Sequence, residues 1–195
     1  MSSPLASAIA DLSANDPVMR SAAAIEIYRR GRTPADRAVY TWWSNPKFAK
    51  LFSTNPHVTV GLAVRREAFS RIHQANGLPR LAEVPADQDT EEFELHFPND
   101  ISLDVLTAGD PNGSGAIARY LARFGEGVQQ VEFLCENLER ATEILKNDFG
   151  VPSIYPHARP GADGTRVNFF LVPSPNSGKV LIELYEKAAG PVVST

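Results

Sequence analysis

One order of elements occurs twice in this chain, and that repetition limits the folds open to it. Residues 57–64, "HVTVGLAV", alternate with a period of two, putting Val58, Val60, Leu62 and Val64 on one face. A helical stretch, "REAFSRIHQANG", follows and stops at Gly77. Two further alternating runs, "EEFELHF" and "ISLDVLTA", meet across the turn "PND". From residue 128 the order returns: a strand "VQQVEFLC", a helix "NLERATEILKNDFG" stopped at Gly150, and a hairpin of "TRVNFFLV" and "KVLIELYE". Both helices run into the same form, Gly77-Leu78-Pro79 and Gly150-Val151-Pro152. A chain with two copies of one strand–helix–strands unit is expected to fold as two similar halves.

The alternation sorts each strand into two faces. Phe93, Leu95 and Phe97 lie on one side of the second strand, and Glu92, Glu94 and His96 on the other. In "VQQVEFLC" the packing face takes Gln129, Val131 and Phe133, and the opposite face takes Val128, Gln130 and Glu132. Superposing the halves sets Thr59 on Gln130, Asp104 on Glu183, and Glu94 near Asn168. A sheet with one wet face would carry such residues too. However, Leu106, Leu134, Leu181 and Tyr185 interrupt the polar faces, and polar residues recur at matching depth in both halves. Two sheets curled around a shared trough account for both features.

Residues 1–53 read as a helical extension. Ala6, Ile9, Ala10 and Leu12 form a short amphipathic segment. A second helix is predicted from the cap Asp16 and first-turn Pro17 to a stop at Gly31, and a third from Thr33 with Pro34 in its first turn. Trp42, Trp43 and Phe48 are expected to pack the extension onto the body, with a lid or dimer arm as the other use.

Composition narrows the partners. Hydrophobic residues make up 43% and charged residues 22%, the balance of a soluble globular protein. A net charge of −4 with scattered Lys and Arg offers no footing for nucleic acid or an anionic membrane. The single Cys135 permits neither an internal disulfide nor a thiol-rich metal site. The N-terminal residues show no signal-peptide pattern, and no apolar run approaches the ~20 residues of a membrane span. A cytoplasmic setting and a small-molecule substrate are expected.

The stretch "GEGVQQVEFLCENLERATEIL", the segment "RPGADGTRVNF", the Ser-Gly-Lys turn and "VLIEL" resemble the second half of the methylmalonyl-CoA epimerase family. That family sits in the glyoxalase/bleomycin-resistance group, the vicinal oxygen chelate proteins. "ISLDVLTAGDPNGSGAIARYLARFGEG" is similar to the family's join between halves. The resemblance spans about residues 57–187 and is stronger from 101 onward; residues 1–53 lie outside it. It implies an α+β fold of two βαβββ modules, residues 54–124 and 125–189, forming a U-shaped open barrel, with a tail at 190–195. A homodimer is expected.

The resemblance also implies a metal site at Thr59, Asp104, Gln130 and Glu183, where the family has His at the first and third positions. Imidazole holds divalent first-row metals far better than a neutral amide or hydroxyl oxygen. An all-oxygen set suits a hard cation such as Mg²⁺ or Ca²⁺. The expectation is no tightly held metal and no cofactor. A divalent metal, if bound, would take Asp104, Gln130, Glu183 and His96.

The resemblance gives Glu94 proton transfer at the carbon next to a thioester carbonyl. Such chemistry needs a base on one face, an acid on the other and a stabilised enolate. Glu94, Glu183, His96 and Gln130 are the expected catalytic residues, with Gln130 donating an amide hydrogen bond. Thr59, Asp104, Glu132, Asn168 and Tyr185 are expected to line the substrate. Arg159 and Arg166 are expected in structural ion pairs, with a substrate carboxylate or the acidic cluster as the other partner. The function read from this is an isomerase or epimerase of a small acyl substrate, without the family's usual metal. A metal-free lyase or cyclase on the same trough, and a non-catalytic binding protein, stay open.

Overall fold

The computed structural model describes residues 3–175 and 178–187. Three helices come first: α1 (Pro4–Asp11), α2 (Pro17–Val39) and α3 (Pro46–Ala49). The first repeat then supplies β1 (Val58–Ala63), α4 (Arg66–Ala75), β2 (Thr90–Phe97) and β3 (Ile101–Ala108). Helix α5 (Ala116–Phe124) joins it to the second repeat. That repeat consists of β4 (Gly127–Leu134), α6 (Leu138–Phe149), β5 (Arg159–Pro160), β6 (Arg166–Ser174) and β7 (Gly178–Glu186). The predicted tail at 190–195 lies outside the described residues.

One 7-stranded sheet runs in the order β2-β3-β1-β4-β7-β6-β5. Strands β1 and β4 pair antiparallel at its centre, and each pairs in parallel with the last strand of its own repeat. The repeats therefore meet strand to strand about an approximate two-fold axis. The sheet curls, and its concave face forms the trough. The second module has the expected three strands after its helix. The first has two; in place of the third, Ala82 N donates to Glu92 O at 2.9 Å.

The extension departs from the sequence reading. Helix α2 is continuous through Gly31 and Pro34 rather than two helices. Its buried residues Ile27, Gly31, Ala35 and Val39 recur every four positions and make one stripe. Gly31 is not a stop. A methyl group built on it would lie 2.5 Å from Val60 Cγ1 and 3.2 Å from Val128 Cγ1. Glycine lets the helix axis press against both central strands. Pro34 would leave its preceding turn short of a hydrogen bond, yet the helix passes through it, and Ser174 Oγ donates to Pro34 O at 2.9 Å.

Helix α2 touches β1, β3, β4, β6 and β7, so it straps the convex face across both repeats. Trp42, Phe48, Phe52, Phe133 and Phe170 join it in one buried core with the apolar faces of the strands. Trp42 sits edge-on to both Phe48 and Phe170. The expectation that these aromatics pack the extension onto the body holds. Among the described residues, no helix is long and apolar enough to cross a membrane.

Candidate functional site: a trough floored with carboxyl groups

The concave face encloses a cavity of about 1270 Å³. Alternation in the strands places its floor. Strand β2 turns Phe93 and Leu95 into the core, which aims Glu92, Glu94 and His96 into the cavity. Strand β1 contributes Thr59, β3 Asp104, β4 Gln130 and Glu132, and β7 Glu183 and Tyr185. Every residue predicted for the site therefore lines the trough except Asn168. That residue stands opposite Leu184 on the packing face, 1% exposed, with Nδ2 near Tyr155 O at 3.4 Å.

Strand register gives the symmetry of the site. Asp104 pairs with Gly61, and Glu183 with Glu132, in the two parallel ladders. Matching Asp104 to Glu183 thus matches Gly61 to Glu132 and Thr59 to Gln130, as expected from the sequence. Across the hairpins, Glu94 faces Asp104 while Phe169 faces Glu183. The counterpart of Glu94 is Phe169, not Asn168. A slip of one residue moves a side chain to the other face of a strand.

The paired glutamines are also resolved by register. Gly61 pairs with Gln130 and Leu62 with Val128, so Gln129 is the extra residue of a β-bulge. The bulge breaks the alternation and turns Gln129 toward the cavity, not toward the packing side. Its Oε1 is buried and takes no hydrogen bond from any described residue.

Two clusters line the trough, one from each module. On the first module, Glu94 stands between His57 at 3.7 Å and His96 at 3.6 Å. Thr59 Oγ1 is 3.4 Å from Glu94 Oε1, and His96 Nδ1 is 3.2 Å from Ser102 Oγ. On the second, Gln130 Nε2 donates to Glu183 Oε2 at 2.7 Å and to Glu132 Oε1 at 3.1 Å. An amide has two hydrogens to give. Gln130 gives one to each carboxyl group, so it holds that pair rather than reaching into the cavity.

Burial and mutual repulsion keep these acids protonated to unusually high pH. Burial pushes Glu132 up to about 8; the Gln130 hydrogen bond opposes this, and Glu92 and Glu94 add to it. Glu92 rises to about 7, through burial and then the charges of Asp163 and Glu94. Asp104 and Glu183 are pushed well above the usual carboxylate range, again by burial first and acidic neighbours second. Tyr185 is raised for the same reasons.

The donor set does not form a metal cage as arranged. The positions that the resemblance gives to a metal hold a hydroxyl, an amide and two carboxyl groups. The amide presents its nitrogen to Glu183. Among the described residues, no group of three His, Cys, Asp or Glu side chains is placed to hold a metal ion.

Two loops clasp across the open side of the half-barrel. Arg80 Nη2 meets Asp163 Oδ2 at 2.5 Å, and Arg159 pairs with Asp87. Glu83 N donates to Asp163 Oδ1 at 2.9 Å, and Gln88 Nε2 to Pro160 O at 2.8 Å. Arg166 pairs with Glu139 and Glu186. Both arginines thus serve structural pairs, as expected. Sequence reasoning missed Glu92 as a site residue, although its alternation with Glu94 marks it. It also passed over Gly61, where a glycine within a strand signals close approach.

A half-barrel made of two strand–helix–strand repeats about one trough is the glyoxalase-like fold of the vicinal oxygen chelate superfamily. Solved methylmalonyl-CoA epimerases are similar to this chain. The Mycobacterium tuberculosis epimerase is 29% identical, with a TM-score of 0.56 over 72% of this chain and 96% of that one. A variant of the Streptomyces coelicolor epimerase, in complex with 2-nitronate-propionyl-CoA, is 25% identical, with a TM-score of 0.55 over 70% and 100%. A methylmalonyl-CoA epimerase in complex with methylmalonyl-CoA and NH4+ is 26% identical, with a TM-score of 0.56 over 70% and 97%. No protein-family model matches the chain, and no curated protein matches it.

Proposed function

We propose that the chain is an epimerase-like enzyme that moves a proton at the carbon next to a thioester carbonyl. The observation that carries this reading is the pair of clusters lining one cavity: Glu94 with two imidazoles on one module, and the Gln130-bridged Glu132 and Glu183 on the other. The similarity to acyl-CoA epimerases supports the substrate class.

In this mechanism Glu94 takes the proton as the C–H bond breaks, and the electron pair moves onto the thioester oxygen as an enolate. A protonated carboxyl of the second module's cluster delivers a proton to the other face of the carbon. Proton exchange with water then resets both acids. Burial already holds Glu132 and Glu183 in the form that can give a proton or a hydrogen bond near neutral pH. Gln130 positions the two carboxyls, Thr59 and the imidazoles orient Glu94, and the reaction runs on these groups without the family's usual metal.

Deuterium uptake from solvent into 2-methylbutyryl-CoA and methylmalonyl-CoA tests the reading. Exchange at the α-carbon is expected with at least one of them, and Glu94→Gln should lower it by about 100-fold or more. Absence of exchange with both, or full activity in E94Q, would sink it.

A further inference from the structure

Proton removal next to a thioester carbonyl puts negative charge on the thioester oxygen, and that oxygen needs a hydrogen-bond donor. Among the described residues no Lys or Arg lies on the strands that floor the cavity. Arg80 and Arg159 stand at the clasp, Arg119 on α5 and Lys187 just beyond the end of β7. The donor for an enolate must therefore be a neutral group of the floor. The sequence points to Gln130 for this role, yet both hydrogens of its amide go to Glu183 and Glu132.

The bulge on β4 supplies a second glutamine. Gly61 pairs with Gln130 and Leu62 with Val128, so Gln129 has no partner on β1 and lines the cavity. Its Oε1 is shut away from water and accepts no hydrogen bond from a described residue. With Oε1 turned inward, the Nε2 edge of the amide and its two hydrogens lie toward the cavity. An unpaired buried acceptor lowers stability, so the fold gains nothing from an amide at this position. An apolar side chain of similar length would fit without that penalty.

Register puts this amide at the end of the row that holds the base. Glu94 pairs with Asp104, Asp104 with Gly61 and Gly61 with Gln130, so one row runs across β2, β3, β1 and β4 from Glu94 to the glutamines. The hydroxyl of Tyr185 is a second candidate donor in the cavity. Tyr185 pairs with Leu134, however, four positions along β4 from Gln130, and so stands well off that row.

We propose that Gln129 is a catalytic residue whose Nε2–H donates a hydrogen bond to the thioester oxygen as that oxygen takes up the electron pair of the breaking C–H bond. The amide keeps its protons throughout. Glu94 removes one proton, the acid of the second module returns one to carbon, and the hydrogen bond weakens as the carbonyl re-forms. This rests on the reading of the trough as a site of proton transfer next to a thioester carbonyl.

Gln129→Met keeps the length of the side chain and removes both hydrogens. Deuterium uptake from solvent is measured at saturation with whichever of 2-methylbutyryl-CoA and methylmalonyl-CoA the parent protein exchanges. In Q129M the rate should fall about 100-fold, while calorimetry gives a Kd for that thioester within about threefold of the parent's. Binding of 2-nitronate-propionyl-CoA, the ligand in complex with the Streptomyces coelicolor epimerase variant, reads the charged state, because its anion carries charge at the same carbon. That binding should weaken by about tenfold or more in Q129M. The melting temperature should hold or rise, since the unpaired Oε1 is gone. Gln129→Leu should behave like Q129M. Exchange at the parent rate in either variant, equal weakening of the nitronate and the thioester, or a melting temperature that falls with the rate overturns the proposal. So does a 100-fold loss in Tyr185→Phe with Q129M unaffected. Parent exchange that is lost in E94Q and kept in Q129M overturns the proposal and leaves the proton-transfer reading standing. A parent that exchanges neither thioester overturns both.

Discussion

Gly61 and Gln130 stand opposite each other on the two central strands, and the side chain of one fills the space left by the other. A methyl group on Gly61 would lie 2.6 Å from Gln130 Cγ and 3.3 Å from Glu132 Oε1. Gly61→Ala is expected to destabilise the protein by about 1–3 kcal/mol through overpacking. It should also part Gln130 from its two carboxyl groups. Chemical denaturation of G61A, Q130A and the double variant checks this: the double variant should be more stable than the sum of the singles predicts. Additive losses would mean that the two positions do not share this space.

Gly31→Ala should behave unlike an ordinary glycine replacement in a helix. Helix propensity alone favours alanine by about 1 kcal/mol. The 2.5 Å approach to Val60 Cγ1 should outweigh that gain and lower stability. Denaturation of G31A against the parent gives the sign, and a stabilised variant would refute the close approach.

Stability should fall as pH rises from about 5 to 9. Unfolded carboxyl groups titrate near 4.3, whereas folded Glu92 and Glu132 hold their protons to about 7 and 8. Between those limits the folded state binds more protons than the unfolded state, so raising the pH favours unfolding. Thermal melts across this range should give a declining melting temperature. Glu132→Gln should flatten the decline, and a profile that rises or stays level would count against the buried acids.

Asp163→Ala should loosen the clasp with little loss of stability. Its partner Arg80 is largely exposed, and such pairs are worth about 0–1 kcal/mol. The change should instead speed hydrogen exchange at the Glu83 amide, which now donates to Asp163. Unchanged protection at that amide would show that the loops are held otherwise.

The strands and the trough were legible because alternation is a local signal. Each of Glu92, Glu94, His96, Asp104 and Glu132 follows from counting along its own strand. What failed depended on distant partners. Gly31 reads as a helix stop until Val60 is known to lie against it. Gln129 reads as a packing residue until the register with β1 reveals a bulge. Asn168 and Phe169 differ by one position, which only the hairpin pairing with β7 decides. The clasp joins residues 72 and 83 positions apart, beyond any pattern along the chain.

The course of α2 bears on how the two repeats came to act as one body. Duplicated units that meet along a single pair of strands could in principle unravel one at a time. Here a helix belonging to neither unit lies over their junction and contacts strands from both. Losing either unit would strip that helix of half its support and uncover the other. The N-terminal segment thus acts as a splint, making loss of one half the loss of both and turning a tandem arrangement into one cooperative transition.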